Sequence, residues 1–132
     1  ERVKAEYGAK RSDIAYVIEN NALFNGDRHA ETAEFDAALI AVDDVDLALV
    51  DLETLSHLAD RLAIAWAAAI THAEQLGLNA LEQPVTARKA AKIARKAAAT
   101  SGPEKAAYEA KLAVLVDLLG VVIPSNRRAI TD

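Results

Sequence analysis

Apolar residues recur at helical spacing along most of this chain, most regularly in its middle. Between Asp46 and Leu78, the residues Leu52, Leu55, Ala59, Leu62, Trp66, Ala69, Ala73 and Leu76 advance by alternating steps of three and four. That spacing makes the seam of a helix that packs against other helices. It predicts one long helix over about 45–78, roughly nine turns at 3.6 residues each. Asp43 and Asp44 mark its start, because their oxygens cap free amides and their charge suits the positive end of the helix dipole. Gly77 and Asn79 supply a stopping point. The stretch Ala63-Ile-Ala-Trp-Ala-Ala-Ala-Ile70 is apolar on every side and is expected to be wrapped by other helices.

Shorter elements surround this one. Ser12 or Asp13 caps a helix that buries Ile14, Val17, Ile18 and Leu23, and Asn25-Gly26-Asp27 ends it. A helix over about 28–42 turns Phe35, Ala38, Leu39 and Val42 inward. Pro84 suits a first-turn position and opens a helix to about Thr100. Ser101-Gly102-Pro103 precedes another, Glu104 to Leu119, with Tyr108, Leu112, Leu115 and Leu119 inward. Residues 1–11 mix charges without a periodic apolar face and read as a flexible arm. Residues 121–132 read as a C-terminal tail, and Val121-Val-Ile123 is too short to build a sheet. The predicted class is all-α: a single domain over 12–120, a four- or five-helix bundle built around the long central helix.

At 132 residues the chain is long enough to bury a real core. It has no cysteine, which excludes disulfides and thiolate zinc sites. It also lacks methionine and opens on Glu1, so it is expected to be a processed product or part of a longer chain. Arg61 and Glu74 bracket its most apolar segment, leaving no run long enough for a bilayer. A soluble, cytoplasmic protein is the corresponding expectation. The net charge of −5 is unevenly spread. Residues 27–60 hold ten acids against one base, Arg28, whereas residues 82–112 hold seven bases against three acids.

Candidate chemistry begins with acids on the second and third predicted helices. Carboxylates three apart share a helix face and, on facing helices, supply hard oxygen ligands for magnesium. Glu31 and Glu34 fall beside Phe35 and Ala38, toward a neighbouring helix. His57 and Asp60 fall opposite the Leu55, Leu62 and Trp66 seam, with Glu53, on what reads as a solvated face. Ala30-Glu31-Thr32-Ala33-Glu34 and His57-Leu58-Ala59-Asp60 together resemble the signature of the MazG-like all-α nucleoside triphosphate pyrophosphohydrolases. That signature is Glu-Glu-x-x-Glu followed, after one to two dozen residues, by Glu-x-x-Asp. The resemblance covers residues 28–79, with Ala30 and His57 standing where the family has acids. It implies magnesium-dependent release of pyrophosphate from a nucleotide, with Glu31, Glu34 and Asp60 as metal ligands and His57 as their neighbour. His29 and His72 each lie in a His-Ala-Glu triplet; adjacent helix positions do not share a face, so no site is expected there.

A second candidate is the basic stripe of Arg88, Lys89, Lys92, Arg95 and Lys96, which covers about one third of its helix opposite Ala87, Ala91, Ala94 and Ala98. Such a face meets phosphates or an acidic partner. It carries no aromatic residue to stack on bases. Trp66 is expected to fill space left by its alanine neighbours.

The leading expectation is a non-catalytic association module that partners itself or another protein subunit and needs no cofactor. A helix of about 50 Å exceeds what a compact domain of this size requires. Leu55, Leu62, Ile64, Trp66 and Ile70 are the residues expected to carry association. The alternatives are a nucleotide-binding or pyrophosphohydrolase role with magnesium, and nucleic-acid binding through the helix over 84–100.

Overall fold

The computed structural model describes residues 2–121, and the regular structure among them is entirely helical. The helices are α1 (Arg2–Arg11), α2 (Ile14–Glu19), α3 (Ala30–Asp43), α4 (Leu52–Leu76), α5 (Pro84–Ala98) and α6 (Gly102–Leu119). Short 3-10 turns at Asn21–Phe24 and Gly77–Ala80 follow α2 and α4. This is the expected all-α bundle, with six helices rather than four or five. None among the described residues is long and apolar enough to cross a membrane. Residues 122–132, which include most of the expected tail, lie outside the described part.

The extra helix is α1, where the sequence pattern reads as an arm. Its own apolar content is small, and its stability comes from contacts with distant elements. Val3 is buried, and the Tyr7 ring lies 5.0 Å from Phe35 and 5.9 Å from Trp66, both edge-on. Lys4 pairs with Asp43 at the end of α3. A pattern search within eleven residues contains none of these partners, which explains the difference.

The long helix also starts later than its periodicity predicts. Asp46 folds residues 46–50 into a turn: its carboxylate accepts from the Ala48 amide at 3.0 Å and its carbonyl from the Leu49 and Val50 amides. A short acidic side chain offers the backbone this alternative to a helix. Asp51, not Asp43 or Asp44, caps α4 by accepting from the Thr54 amide at 2.7 Å. The helix then runs 25 residues, roughly 38 Å at about 1.5 Å each, and ends at Gly77. There φ is +51°, a conformation that favours glycine. Helices α3 and α4 form an antiparallel hairpin, since His29 meets His72 and Glu34 meets Arg61.

Two apolar clusters hold the molecule together. The first gathers Val3, Val17, Leu23, Phe24, Phe35, Ala38, Leu62, Ala65, Trp66, Ala69 and Ala73, from α1 to α4. The second gathers Ala15, Ile18, Ala87, Ala90, Ala91, Ala94 and Leu112, from α2, α5 and α6. Helix α2 belongs to both, because Val17 projects about 200° around the axis from Ala15 and lies on the other side. Asp13 caps it, accepting from the Tyr16 amide at 3.2 Å. Alanine on both α2 and α5 lets the two backbones approach closely. Thr32, fully buried, donates to the Ala22 carbonyl at 2.6 Å and ties α3 to the turn after α2.

Ile18→Ala is expected to cost about 2–5 kcal/mol, the range for emptying a buried isoleucine site. Because α2 serves both clusters, urea unfolding should move to lower concentration by the same amount whether followed by Trp66 fluorescence or by helical circular dichroism. Separate midpoints for the two probes would show that the clusters unfold independently.

Candidate functional site

The acids expected to hold magnesium are not brought together. Glu34 faces α4 as predicted, but Arg61 meets it with a two-pronged contact, Nε at 2.8 Å and Nη2 at 3.1 Å. That guanidinium holds the Glu34 carboxyl below its ordinary pKa. Glu31, in the first turn of α3, lies 3.7 Å from His72 Nε2, near the far end of α4. Asp60, His57 and Glu53 are exposed on the outer face of α4, the solvated face that the helical wheel predicts. The reason is rotational: Arg61 follows Asp60 by about 100° and takes the position facing α3. Glu31, Glu34 and Asp60 thus do not converge, and among the described residues no group of three or more histidine and acidic side chains could hold a metal ion.

The residues expected to carry association divide between inside and outside. Leu62 and Trp66 are buried within the chain, so neither is available to a partner. Trp66 fills the space beneath α1: its ring lies 5.0 Å from Phe35, and its indole N–H donates to Glu6 at 3.0 Å. Leu55 and Ile70 are half-buried. Ile64 is 71% exposed, and Ala67 and Ala68 beside it are also exposed. The apolar stretch 63–70 is therefore covered on one side only.

More apolar surface appears where periodicity did not predict it. Leu47, Leu49 and Leu52 are 75%, 83% and 82% exposed, and Ile40 on the last turns of α3 is 60% exposed. All four lie at the tip of the α3–α4 hairpin, with Asp44, Asp46, Asp51 and Glu53 interleaved. The sequence signal is Asp43-Asp-Val-Asp-Leu-Ala-Leu-Val-Asp-Leu-Glu53, a short apolar run flanked on both sides by acids. Reading it as the start of a helix assigned Leu52 to the inward seam.

The basic stripe is exposed throughout, with Ala87, Ala91 and Ala94 buried beneath it as predicted and Ala98 exposed. Arg95 makes a two-pronged contact with Glu19 of α2, which holds α5 against α2. Arg88, Lys89, Lys92 and Lys96 point outward together with Val85.

One contact ran against expectation. His29 precedes α3 and His72 lies on the last turns of α4, and the hairpin brings His29 Nδ1 to 3.1 Å from His72 Nε2. The relevant relation is between the triplets across the hairpin, which neighbouring positions within one triplet do not reveal. A hollow of about 300 Å³, lined in part by Asn21, Asn25, Arg28 and Glu82, opens beside His29.

Compared with known proteins, the chain matches no family model, no curated protein and no solved structure. The likeness to MazG-like enzymes therefore rests on the quoted residues alone.

Burial, and then the neighbouring His72, lower the His29 pKa below the ordinary value of 6.5. The folded chain thus prefers neutral His29, and the associated stability is complete above about pH 6.5. It is lost as pH falls through the lowered value. The urea midpoint is expected to fall between about pH 7.5 and about pH 5.5, and to fall less in His29→Gln. Equal falls in both proteins would assign the acid sensitivity to other groups.

Proposed function

We propose that this protein is a non-catalytic association module whose working surface is the outer side and tip of the α3–α4 hairpin. The observation that supports this reading is the collection of large apolar side chains, Ile40, Leu47, Leu49, Leu52 and Ile64, left in solvent on one hairpin. Single exposed leucines are ordinary on protein surfaces, but a group on one element interleaved with charge marks an interaction surface. The chain's folding needs do not account for it. Ile64 faces away from both clusters, and the leucines at 47, 49 and 52 sit beyond the last packed turn of the hairpin. Burying an exposed leucine or isoleucine contributes about 1.5–3 kcal/mol, so a handful is enough to drive binding once the entropy of association is met.

The charged residues at the tip suit the same role. Asp46 and Asp51 order the tip through backbone contacts while their charge keeps the leucines from unspecific collapse. The proteins that this surface accepts are another copy of this chain or another subunit.

Leu49→Asp combined with Ile64→Asp should leave the fold intact, because both side chains lie outside the clusters. Light scattering on a concentrated solution is expected to give the wild type a mass above one chain, or immobilised wild type is expected to retain a partner protein, and the variant is expected to do neither. A wild type that stays monomeric and retains nothing that the variant fails to retain would overturn the reading.

A further inference from the structure

We infer that the partner of the hairpin tip is the basic face of α5 on a second copy of this chain, so that copies join head to tail. The inference rests on the association reading above and names what covers that surface.

Charge and shape complement each other on the two surfaces. Residues 44–53 at the tip carry Asp44, Asp46, Asp51 and Glu53 and no base. Helix α5 carries Arg88, Lys89, Lys92 and Lys96 on one exposed face, besides Arg95 committed to Glu19, and contains no acid between Pro84 and Ala98. Four anions thus match four cations. Each surface also has an apolar component: Leu47, Leu49 and Leu52 on the tip, and on α5 the 76%-exposed Val85 with the aliphatic stems of arginine and lysine. Those stems cover leucine while their heads reach the neighbouring carboxylates. Charge pairing of this kind sets orientation and speeds encounter more than it adds affinity, while the leucines supply the burial.

Within one chain the two surfaces stay apart. The tip belongs to the α3–α4 hairpin of the first cluster, whereas α5 packs in the second, with α2 between them. Only another molecule brings tip and stripe together. Because the two surfaces differ, the first contact leaves one copy with an unused stripe and the other with an unused tip, and the contact generates rings or open chains rather than a closed symmetric pair. A nucleic acid suits the stripe less well. The stripe has no aromatic side chain to stack on bases, and the net charge of −5 opposes a polyanion.

The test uses charge reversal at positions with no part in either cluster. One variant carries Asp44→Lys and Glu53→Lys on the tip; the other carries Lys89→Glu and Lys92→Glu on α5. Helical circular dichroism and Trp66 fluorescence check that both fold. In sedimentation at low salt, wild type is expected to associate beyond a dimer and each variant to weaken at least about tenfold, as like charges now face each other. An equimolar mixture of the two is expected to regain association, since the intact tip of the stripe variant then meets the intact stripe of the tip variant. Association of the wild type should also weaken toward about 1 M salt, where the screening length is about 3 Å. Variants that associate like wild type, or a mixture no larger than its components, would overturn the head-to-tail contact. If Leu49→Asp with Ile64→Asp still abolished association in that case, the hairpin would remain the working surface. Duplex DNA bound by the tip variant but not by the stripe variant, with no recovery on mixing, would assign the stripe to nucleic acid and equally overturn the inference.

Discussion

Helix α2 is only six residues long, yet both halves of the molecule are built against it. Val17 faces the aromatic cluster of Tyr7, Phe24, Phe35 and Trp66, while Ala15 and Ile18 face the alanines of α5. An isolated helix of this length does not hold itself together in water, so its order derives from burial on both sides. Asp13 fixes its start and Arg95 clamps its end through Glu19. The order of the remaining elements depends on this shared piece. Without it the α3–α4 hairpin and the α5–α6 pair would each have one apolar side and no common core.

That arrangement decides which apolar residues reach the surface. The 25-residue α4 rests on α3 and α1 with one side, which accounts for Leu62, Ala65, Trp66, Ala69 and Ala73. No other helix among the described residues is available for its outer side, because α5 and α6 are engaged in the second cluster. Ile64 and the leucines of the tip remain in solvent for the same reason. The described helices are too few to cover a hairpin this long on all sides. The surplus surface is therefore a consequence of the fold, and its acidic and apolar composition is what the proposed association rests on.

Periodicity made much of the architecture legible. The inward residues Val17, Ile18, Leu23, Phe35 and Ala38, the buried row under the basic stripe, Asp13 as a cap, Gly77 as a stop and Pro84 as an opening all follow from spacing and local backbone chemistry. The misread parts depended on distant partners. Helix α1 exists because Tyr7 and Val3 find Phe35 and Trp66, more than twenty-five residues away. Helix α4 starts later than apolar spacing predicts because Asp46 competes for amides, a choice that spacing does not register. The acids were the least legible. Helical geometry placed Glu34 toward its neighbour correctly, but only the hairpin register reveals that Arg61 waits there, and the same register brings His29 to His72.

We propose that the hairpin's outer side, bare in the single chain, is covered on association while both clusters stay closed throughout. Hydroxyl-radical footprinting measures this directly, residue by residue, in dilute and concentrated solutions. Leu47, Leu49, Leu52 and Ile64 are expected to react readily when dilute and to be protected several-fold when concentrated, with Phe35 and Ile18 protected in both. Equal reactivity of the four at both concentrations, or protection of Ile64 in the dilute single chain, would contradict the account.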